Sequence, residues 1–524
     1  MNKVTMIQGG VLLSAGLVCA EGPGRPNLLI LLTDDQKAET LSSYDPDCPL
    51  PTPHIDRLAN EGIRFTQGFA TTPICAVSRA SMLTGLYSCN SGVNKFHANM
   101  PADIFERSYN MLLEEAGYFT GQLGKYGVRI TPQQQARHSF WDGQAHQGPQ
   151  FREYKGKTLH DSEWLTVRTG DFLDALPEGR PFALQLNYKA PHGSSVPAPE
   201  DEGLLEHYTF PRHPLDNAEA AAKVPDIVRG SFLNVCYERE FNRGGDHNPF
   251  ARRYFEKVAS VDRSVGEIMK MLEERGLADN TVIIFTSDHG VHFGDKHLYG
   301  KWSPYDRSLH VPFIVYDPRP NAQKGLVRDE MVLLIDIAPT ILDLAGVEFP
   351  EVMDGKSLMP LVEASRPFKG DEWRDHFFFE HYHSVSRGFY LARNEGIRTR
   401  HDKFLRWLDP PEPIEEFYNL KADPLEANNL IDHPDYQQRV DELRKKFNQW
   451  REENPDNYVF APYRQHPHNT SFSPEIDWAR FKEARPEDYQ AIAEAVQELD
   501  VSWEQALHDW DTRLEVGRRS GIYY

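Results

Sequence analysis

Asn27-Leu28-Leu29-Ile30-Leu31-Leu32-Thr33-Asp34-Asp35 is a run of five apolar residues introduced by Pro26 and ended by two carboxylates. A run this short and unbroken suits a central parallel strand covered on both faces rather than an alternating edge strand. The carboxyl end of such a strand is where open α/β sheets hold their ligands. Asp34 and Asp35 then have two readings, a turn or helix N-cap on one side and hard oxygen ligands for a divalent cation on the other. A second run, Thr281-Val282-Ile283-Ile284-Phe285-Thr286, ends in Ser287-Asp288-His289-Gly290. Paired with Asp34 and Asp35, these residues read as the other half of one cation site. Further strands are expected at 120–125, 181–188 and 311–316, with helices from 52, over 111–117, 254–272 and 331–344. Strands alternating with helices, with polar residues at strand ends, predict an α/β/α sandwich around a mainly parallel sheet.

Between the two runs lies Thr72-Pro73-Ile74-Cys75-Ala76-Val77-Ser78-Arg79-Ala80-Ser81-Met82-Leu83-Thr84-Gly85. It puts one cysteine at the mouth of a predicted helix that Gly85 terminates. Arg79, four residues on, falls over the same helical face. A helix N-terminus with an arginine beside it favours an anion. On the residues alone, Cys75 divides evenly between a nucleophile and a buried structural cysteine.

The segment resembles the signature of the type I, formylglycine-dependent sulfatases of the alkaline phosphatase superfamily. There Cys-x-Pro-x-Arg directs oxidation of the cysteine to formylglycine, and Ala80-Ser81-Met82-Leu83-Thr84-Gly85 follows the family's continuation closely. Val77 stands where the family has proline or alanine. The resemblance covers roughly residues 26–435 and implies an alkaline-phosphatase-like α/β/α sandwich with a small C-terminal α+β subdomain. It implies a metal site of Asp34, Asp35, Asp288, His289 and position 75, holding Ca²⁺ by default with Mg²⁺ as the alternative. Cys75, Arg79, Lys125, His192 and Lys301 take the catalytic positions. Lys125 lies in Gly124-Lys125-Tyr126-Gly127, where Gly127 replaces a family histidine. His192 ends Ala190-Pro191-His192 and is the proton donor, a role that imidazole suits. His292, His297, His310 and His381 are expected substrate contacts, although His292 and His297 read equally as surface-loop residues. The implied reaction is hydrolysis of a sulfate ester on a sulfated carbohydrate. The implied partner in maturation is a formylglycine-generating or anaerobic sulfatase-maturating enzyme. A phosphate or phosphonate ester hydrolase and a non-catalytic sulfoglycan-binding protein stay open beside it.

Composition sets the bounds. A formal charge of −21 over 524 residues argues against blanket binding to nucleic acid, so a sulfated substrate must meet a local basic pocket. Lys3, an apolar run over 11–18 and Val18-Cys19-Ala20 read as a signal peptide cleaved after residue 20, which predicts export to a periplasm or outside the cell. No other apolar run is long enough to span a bilayer. Cleavage leaves Cys48, Cys75, Cys89 and Cys236, too few for a disulfide scaffold and best read outside Cys75 as small buried hydrophobes. The expected organisation is a catalytic domain over 21–372, a C-terminal subdomain with an antiparallel sheet over 373–454, and a helical extension over 455–524.

Overall fold

The computed structural model describes residues 24–455 except 97, 349, 351, 367–371, 387–388 and 411, together with 490, 493, 494, 496, 497 and 499. The expected signal peptide and nearly all of the expected C-terminal extension lie outside the described residues.

Eight strands form the central sheet: β1 (Asn27–Asp34), β2 (Ile63–Phe69), β3 (Phe119–Gly124), β4 (Phe140–Gly143), β5 (Phe182–Pro191), β6 (Thr281–Ser287), β7 (His310–Tyr316) and β8 (Leu326–Leu333). Their spatial order is β8-β2-β7-β6-β1-β5-β3-β4. All run in one direction except β7, which is antiparallel to both β2 and β6. β1 is central and buried at every position, which is why its apolar run does not alternate with polar residues. Its side chains divide between two cores. Leu29 and Leu31 pack with helices α1 (Pro53–Glu61), α4 (Asp161–Ala175) and α5 (Asn248–Glu274) through Ile55, Leu165 and Val261. Leu28, Ile30 and Leu32 pack with α2 (Cys75–Thr84), α3 (Tyr109–Glu115) and α6 (Ile337–Ala345) through Leu83, Met111 and Ile341. These are the two outer layers of an α/β/α sandwich.

A second, four-stranded antiparallel sheet follows, with β9 (His376–His381), β10 (Asn394–Thr399), β11 (Asp402–Trp407) and β12 (Ile414–Asn419) in sequential order. Helix α7 (Gln437–Glu453) covers it, with the Trp450 ring stacked on Phe378 at 4.4 Å. This sheet shares a third core with Phe69, Ile74, Val77 and Trp302, so it rests directly against the segment that leads into α2.

One expectation is corrected. The stretch 331–344 is not one helix. Residues 331–333 finish β8, whose pairing with β2 extends to Leu333. The chain then turns where the Asp336 carboxylate accepts from Leu333 N at 2.8 Å. The run from His376 forms β9 of the expected antiparallel sheet without alternating, because both of its faces are covered and Phe377 to His381 are all buried. All four described cysteines are free thiols, with Cys75, Cys89 and Cys236 buried.

Candidate active site

Three segments meet at the carboxyl ends of β1, β5 and β6. β1 delivers Asp34, after which Asp35 takes the left-handed conformation (φ 64°) that a non-glycine residue adopts only under constraint. Four contacts supply the constraint. Asp35 N donates to Asp288 Oδ1 at 3.3 Å and Gln36 N to Ser287 Oγ at 2.9 Å, tying the turn to the end of β6. From α5, the Tyr254 hydroxyl donates to the Asp35 carbonyl at 2.6 Å and accepts from Lys37 N at 3.1 Å. Tyr254→Phe is expected to release this clip at a cost of about 1–2 kcal/mol and to weaken metal affinity about 10–100-fold. Thermal denaturation with and without added Ca²⁺ checks both effects.

Cys75 opens α2, which Gly85 closes in a left-handed C-cap (φ 70°). The thiol is buried and faces three groups: Lys301 Nζ at 3.0 Å, His289 Nε2 at 3.4 Å and Asp34 Oδ1 at 3.6 Å. Arg79 is fully buried on the same helix and turns its guanidinium to Asp288 Oδ2 (2.8 Å), Asn187 Oδ1 (3.3 Å) and the Lys125 carbonyl. Its Nη2 is buried without a hydrogen-bond partner. Burial opposes the charge on Arg79, but the Asp288 and Asp34 carboxylates outweigh it and raise its pKa.

Two lysines complete the cluster. Lys125 follows β3 and pairs with Asp34 Oδ2. Lys301 reaches Asp35 Oδ1 at 2.6 Å. Burial would depress the Lys301 ammonium, but Asp35 and Cys75 push it well above the ordinary lysine range. Asp34 lies well below the ordinary carboxylate range because Lys125, His192, Lys301 and Arg79 surround it and overcome its burial. His289 is carried up to about 9, against the effect of burial, by the Asp288 carboxylate. His192 Nε2 lies 3.6 Å from Asp35 Oδ2, and its backbone carbonyl accepts from the buried Lys257 ammonium at 2.9 Å.

The loop bearing Lys301 is held from both sides. Trp302 N donates to the Pro73 carbonyl at 3.0 Å, just before the cysteine. Asn394 Nδ2 of β10 donates to the Trp302 carbonyl at 3.0 Å, and Lys403 of β11 to the Pro304 carbonyl at 2.9 Å. The C-terminal sheet thus fixes the path of the loop that presents Lys301.

The donor set suits a cation. The ligand atoms of Asp34, Cys75, Asp288 and His289 all lie within 4.8 Å of one another, and so do those of Asp34, Asp35 and His192. Together these are three carboxylates, two imidazoles and one thiol, all at buried positions apart from half-buried His192.

Residues 26–347 match the family description "Sulfatase", and 294–453 match "N-sulphoglucosamine sulphohydrolase, C-terminal". The chain belongs to the sulfatase family. Sulfatases hydrolyse sulfate esters. An N-acetylglucosamine-6-O-sulfatase of Bacteroides thetaiotaomicron is 28% identical over 495 residues, covering 83% of this chain and 87% of that one. A protein solved in complex with its substrate D-glucosamine-2-N,6-O-disulfate superimposes with a TM-score of 0.69 at 26% identity, covering 83% of this chain and 99% of that one. A phosphonate monoester hydrolase from Silicibacter pomeroyi shares the fold (TM-score 0.68, 21% identity, 82% and 96% covered).

In this sulfatase the structure brings together Asp34, Asp35, Cys75, Arg79, Lys125, His192, Asp288, His289 and Lys301. It does not bring the four other histidines into that cluster. His292 is fully buried and spends both ring nitrogens inside its own loop, on Asp295 Oδ2 and Ser303 Oγ at 2.6 Å each. The reading of His292 as a substrate contact is thereby corrected. His297 stacks on Tyr237 at 4.8 Å with its Nε2 toward Asp216. His310 opens β7 and holds the Thr66 carbonyl at 3.0 Å. His381 ends β9, next to Glu380, whose N–H donates to the Thr71 carbonyl at 3.1 Å. Burial pushes the His381 imidazole down to about 3.

Sequence reading missed Gln147, whose Nε2 donates to Asp34 Oδ2 at 3.0 Å from an irregular loop, and it missed Tyr254 and Lys257. The last two sit on a helix whose apolar period draws attention to its other positions. Gly127, the family's histidine position, also has a local cause. A Cβ there would lie 2.5 Å from Arg79 Cδ, in a backbone with φ +82°. The arginine stem fills the space a side chain needs. Gly127→Ala is expected to cost more than about 1 kcal/mol and to displace Arg79, seen as a lowered Tm together with lost sulfate release.

Proposed function

We propose that this sulfatase removes a sulfate group from a sulfated carbohydrate, using formylglycine formed at Cys75 and a divalent cation, Ca²⁺ by default. The observation that carries the reading is one buried point where a potential nucleophile faces three cations and four metal-ligand side chains. A sulfate monoester spreads one negative charge over three terminal oxygens, and positive groups around them stabilise that charge as the ester bond breaks. Asp34, Asp35, Asp288 and His289 would hold the cation, which when bound supplies Lewis acidity toward a sulfate oxygen and acidifies the nucleophile. Conversion of Cys75 to formylglycine supplies a hydrated aldehyde, with one hydroxyl to attack sulfur and a second whose deprotonation expels the sulfate.

The chain's own residues do the rest. Arg79, whose Nη2 has no hydrogen-bond partner, would donate to the nucleophile position. Lys125 and Lys301 sit on Asp34 and Asp35 and would share their ammonium groups with the sulfate oxygens. Asp288 and Asn187 keep the Arg79 fork in plane. His192 holds a proton for the departing alcohol. His381, on the strand beside Thr71, His297 in its loop and His310 at the start of β7 remain proposed contacts to the sugar.

The carbohydrate assignment is supported by the relative named for N-acetylglucosamine 6-O-sulfate and by the neighbour holding a sulfated glucosamine. Among the described residues no helix is long and apolar enough to cross a membrane. The leader-like sequence over 1–20 supports export to a periplasm or medium. The test is sulfate release from glucosamine 6-sulfate, N-sulfoglucosamine and galactose 6-sulfate, using protein co-produced with a maturating enzyme. Release from at least one sugar is expected. Protein with formylglycine verified by peptide mass, yet inert on every sulfated sugar, would overturn the proposal.

A further inference from the structure

The cation site changes chemical character with the state of residue 75. As encoded, position 75 presents sulfur, and the four atoms that converge with it are Asp34 and Asp288 carboxylate oxygens, the His289 imidazole and the Cys75 thiol. That is a mixed O, O, N, S set. Calcium takes six to eight oxygens and gains little from a thiolate or an imidazole, whereas zinc is bound in fours by cysteine, histidine and carboxylate. The spacing fits as well. A tetrahedron with bonds of about 2.0–2.3 Å has edges of about 3.3–3.8 Å. The measured edges are 3.4 Å from Cys75 Sγ to His289 Nε2, 3.6 Å from Cys75 Sγ to Asp34 Oδ1, and 3.4 Å from His289 Nε2 to Asp288 Oδ1.

We propose that the chain with Cys75 unconverted is a binding site for a thiophilic divalent cation, zinc foremost, formed by Asp34, Cys75, Asp288 and His289. On binding, the thiol proton leaves to solvent and a sulfur–zinc bond forms, with no change of oxidation state. Lys301 keeps its 2.6 Å contact with Asp35 and Arg79 its contact with Asp288 Oδ2, so both cations stay paired beside the ion. His289 Nδ1 is held at 2.9 Å from the Gly290 carbonyl, which fixes the ring with Nε2 toward the sulfur. Conversion of the thiol removes the sulfur donor and leaves a set of carboxylate oxygens with the His289 imidazole. Metal preference would then report whether a given chain has been matured, and zinc would cap the reactive sulfur of chains that have not. Val77, at the family's proline or alanine position, gives this unconverted form particular relevance in this chain.

The proposal does not depend on sulfate hydrolysis, because it concerns the thiol before conversion. Its test uses full-length protein made without a maturating enzyme, stripped with chelator and verified by mass to carry the Cys75 thiol. Zn²⁺ and Ca²⁺ are titrated separately, Co²⁺ serves as a spectroscopic probe, and alkylation of the Cys75 peptide is followed by mass spectrometry. Expected results are Zn²⁺ binding, a thiolate-to-Co²⁺ charge-transfer band, and protection of Cys75 from alkylation by Zn²⁺ but not by Ca²⁺. Cys75→Ser is expected to abolish the band and weaken Zn²⁺ at least about 100-fold while leaving Ca²⁺ binding within a few-fold. His289→Asn, which puts an amide oxygen in place of the imidazole nitrogen, serves as the second variant and is expected to weaken Zn²⁺ more than Ca²⁺. Equal Zn²⁺ affinity in wild type and Cys75→Ser, or a Cys75 that alkylates at the same rate with Zn²⁺ present, would overturn the proposal. Failure of the sulfatase assay on matured protein would leave these results untouched, and the reverse also holds.

Discussion

Cys75→Ala, produced beside a maturating enzyme, is expected to lose sulfate release by a factor on the order of 10⁶. It should still fold and still gain thermal stability from Ca²⁺. The argument for folding is local. The thiol opens α2 without capping it, and its partners Lys301, His289 and Asp34 each keep another partner, namely Asp35, Asp288 and Lys125. Removing one sulfur therefore orphans no buried polar group, and orphaning is where large stability losses arise. Four side-chain ligands remain for the cation. What disappears is the proposed acceptor of the sulfuryl group. Sulfate release and Ca²⁺-dependent melting, measured on one preparation, separate the two roles. Residual turnover within about 100-fold of wild type would mean that another residue or a water attacks sulfur.

The sequence exposes the parts of this site that lie where a regular element ends. Asp34, Asp35, Asp288 and His289 follow unbroken apolar runs, and Cys75 opens a helix with its glycine stop ten residues on. Each such residue is tied to a periodicity that fixes its place before any contact is known. Gln147 has no such anchor, because its loop carries no period. Tyr254 and Lys257 illustrate a different blindness: α5 reads as amphipathic from Val258, Val261, Val265 and Ile268, and a pattern of apolar faces says nothing about where the flanking polar side chains arrive. His292 failed for the opposite reason. A loop histidine near a cation site attracts a functional reading, yet a buried imidazole held by Asp295 and Ser303 is doing structural work. Gly127 shows that a departure from a family pattern can be packing: the missing histidine and the Arg79 stem compete for one volume.

His192→Gln is expected to lower kcat on a sugar sulfate about 10²–10³-fold, with far less effect on an aryl sulfate. The ring orientation supplies the reason. A general acid here is the imidazolium: its Nδ1 proton has the Ser194 hydroxyl as acceptor at 2.9 Å, and its Nε2 proton lies on the atom 3.6 Å from Asp35 Oδ2. That places the mobile proton on the side of the reacting cluster. Lys257 fixes the backbone beneath it through the His192 carbonyl. A sugar alcohol is a poor leaving group and departs only as it gains a proton, whereas an acidic phenol departs as the anion and needs none. Glutamine retains a donor and similar bulk but cannot give its proton away, which isolates proton transfer from packing. The measurement is kcat on glucosamine 6-sulfate and on nitrophenyl sulfate for wild type and variant. A large loss on the first with a small loss on the second assigns the general acid to His192. Equal losses on both would make His192 a residue that shapes the pocket or holds the sulfate, and proton delivery would have to come from Lys125, Lys301 or solvent.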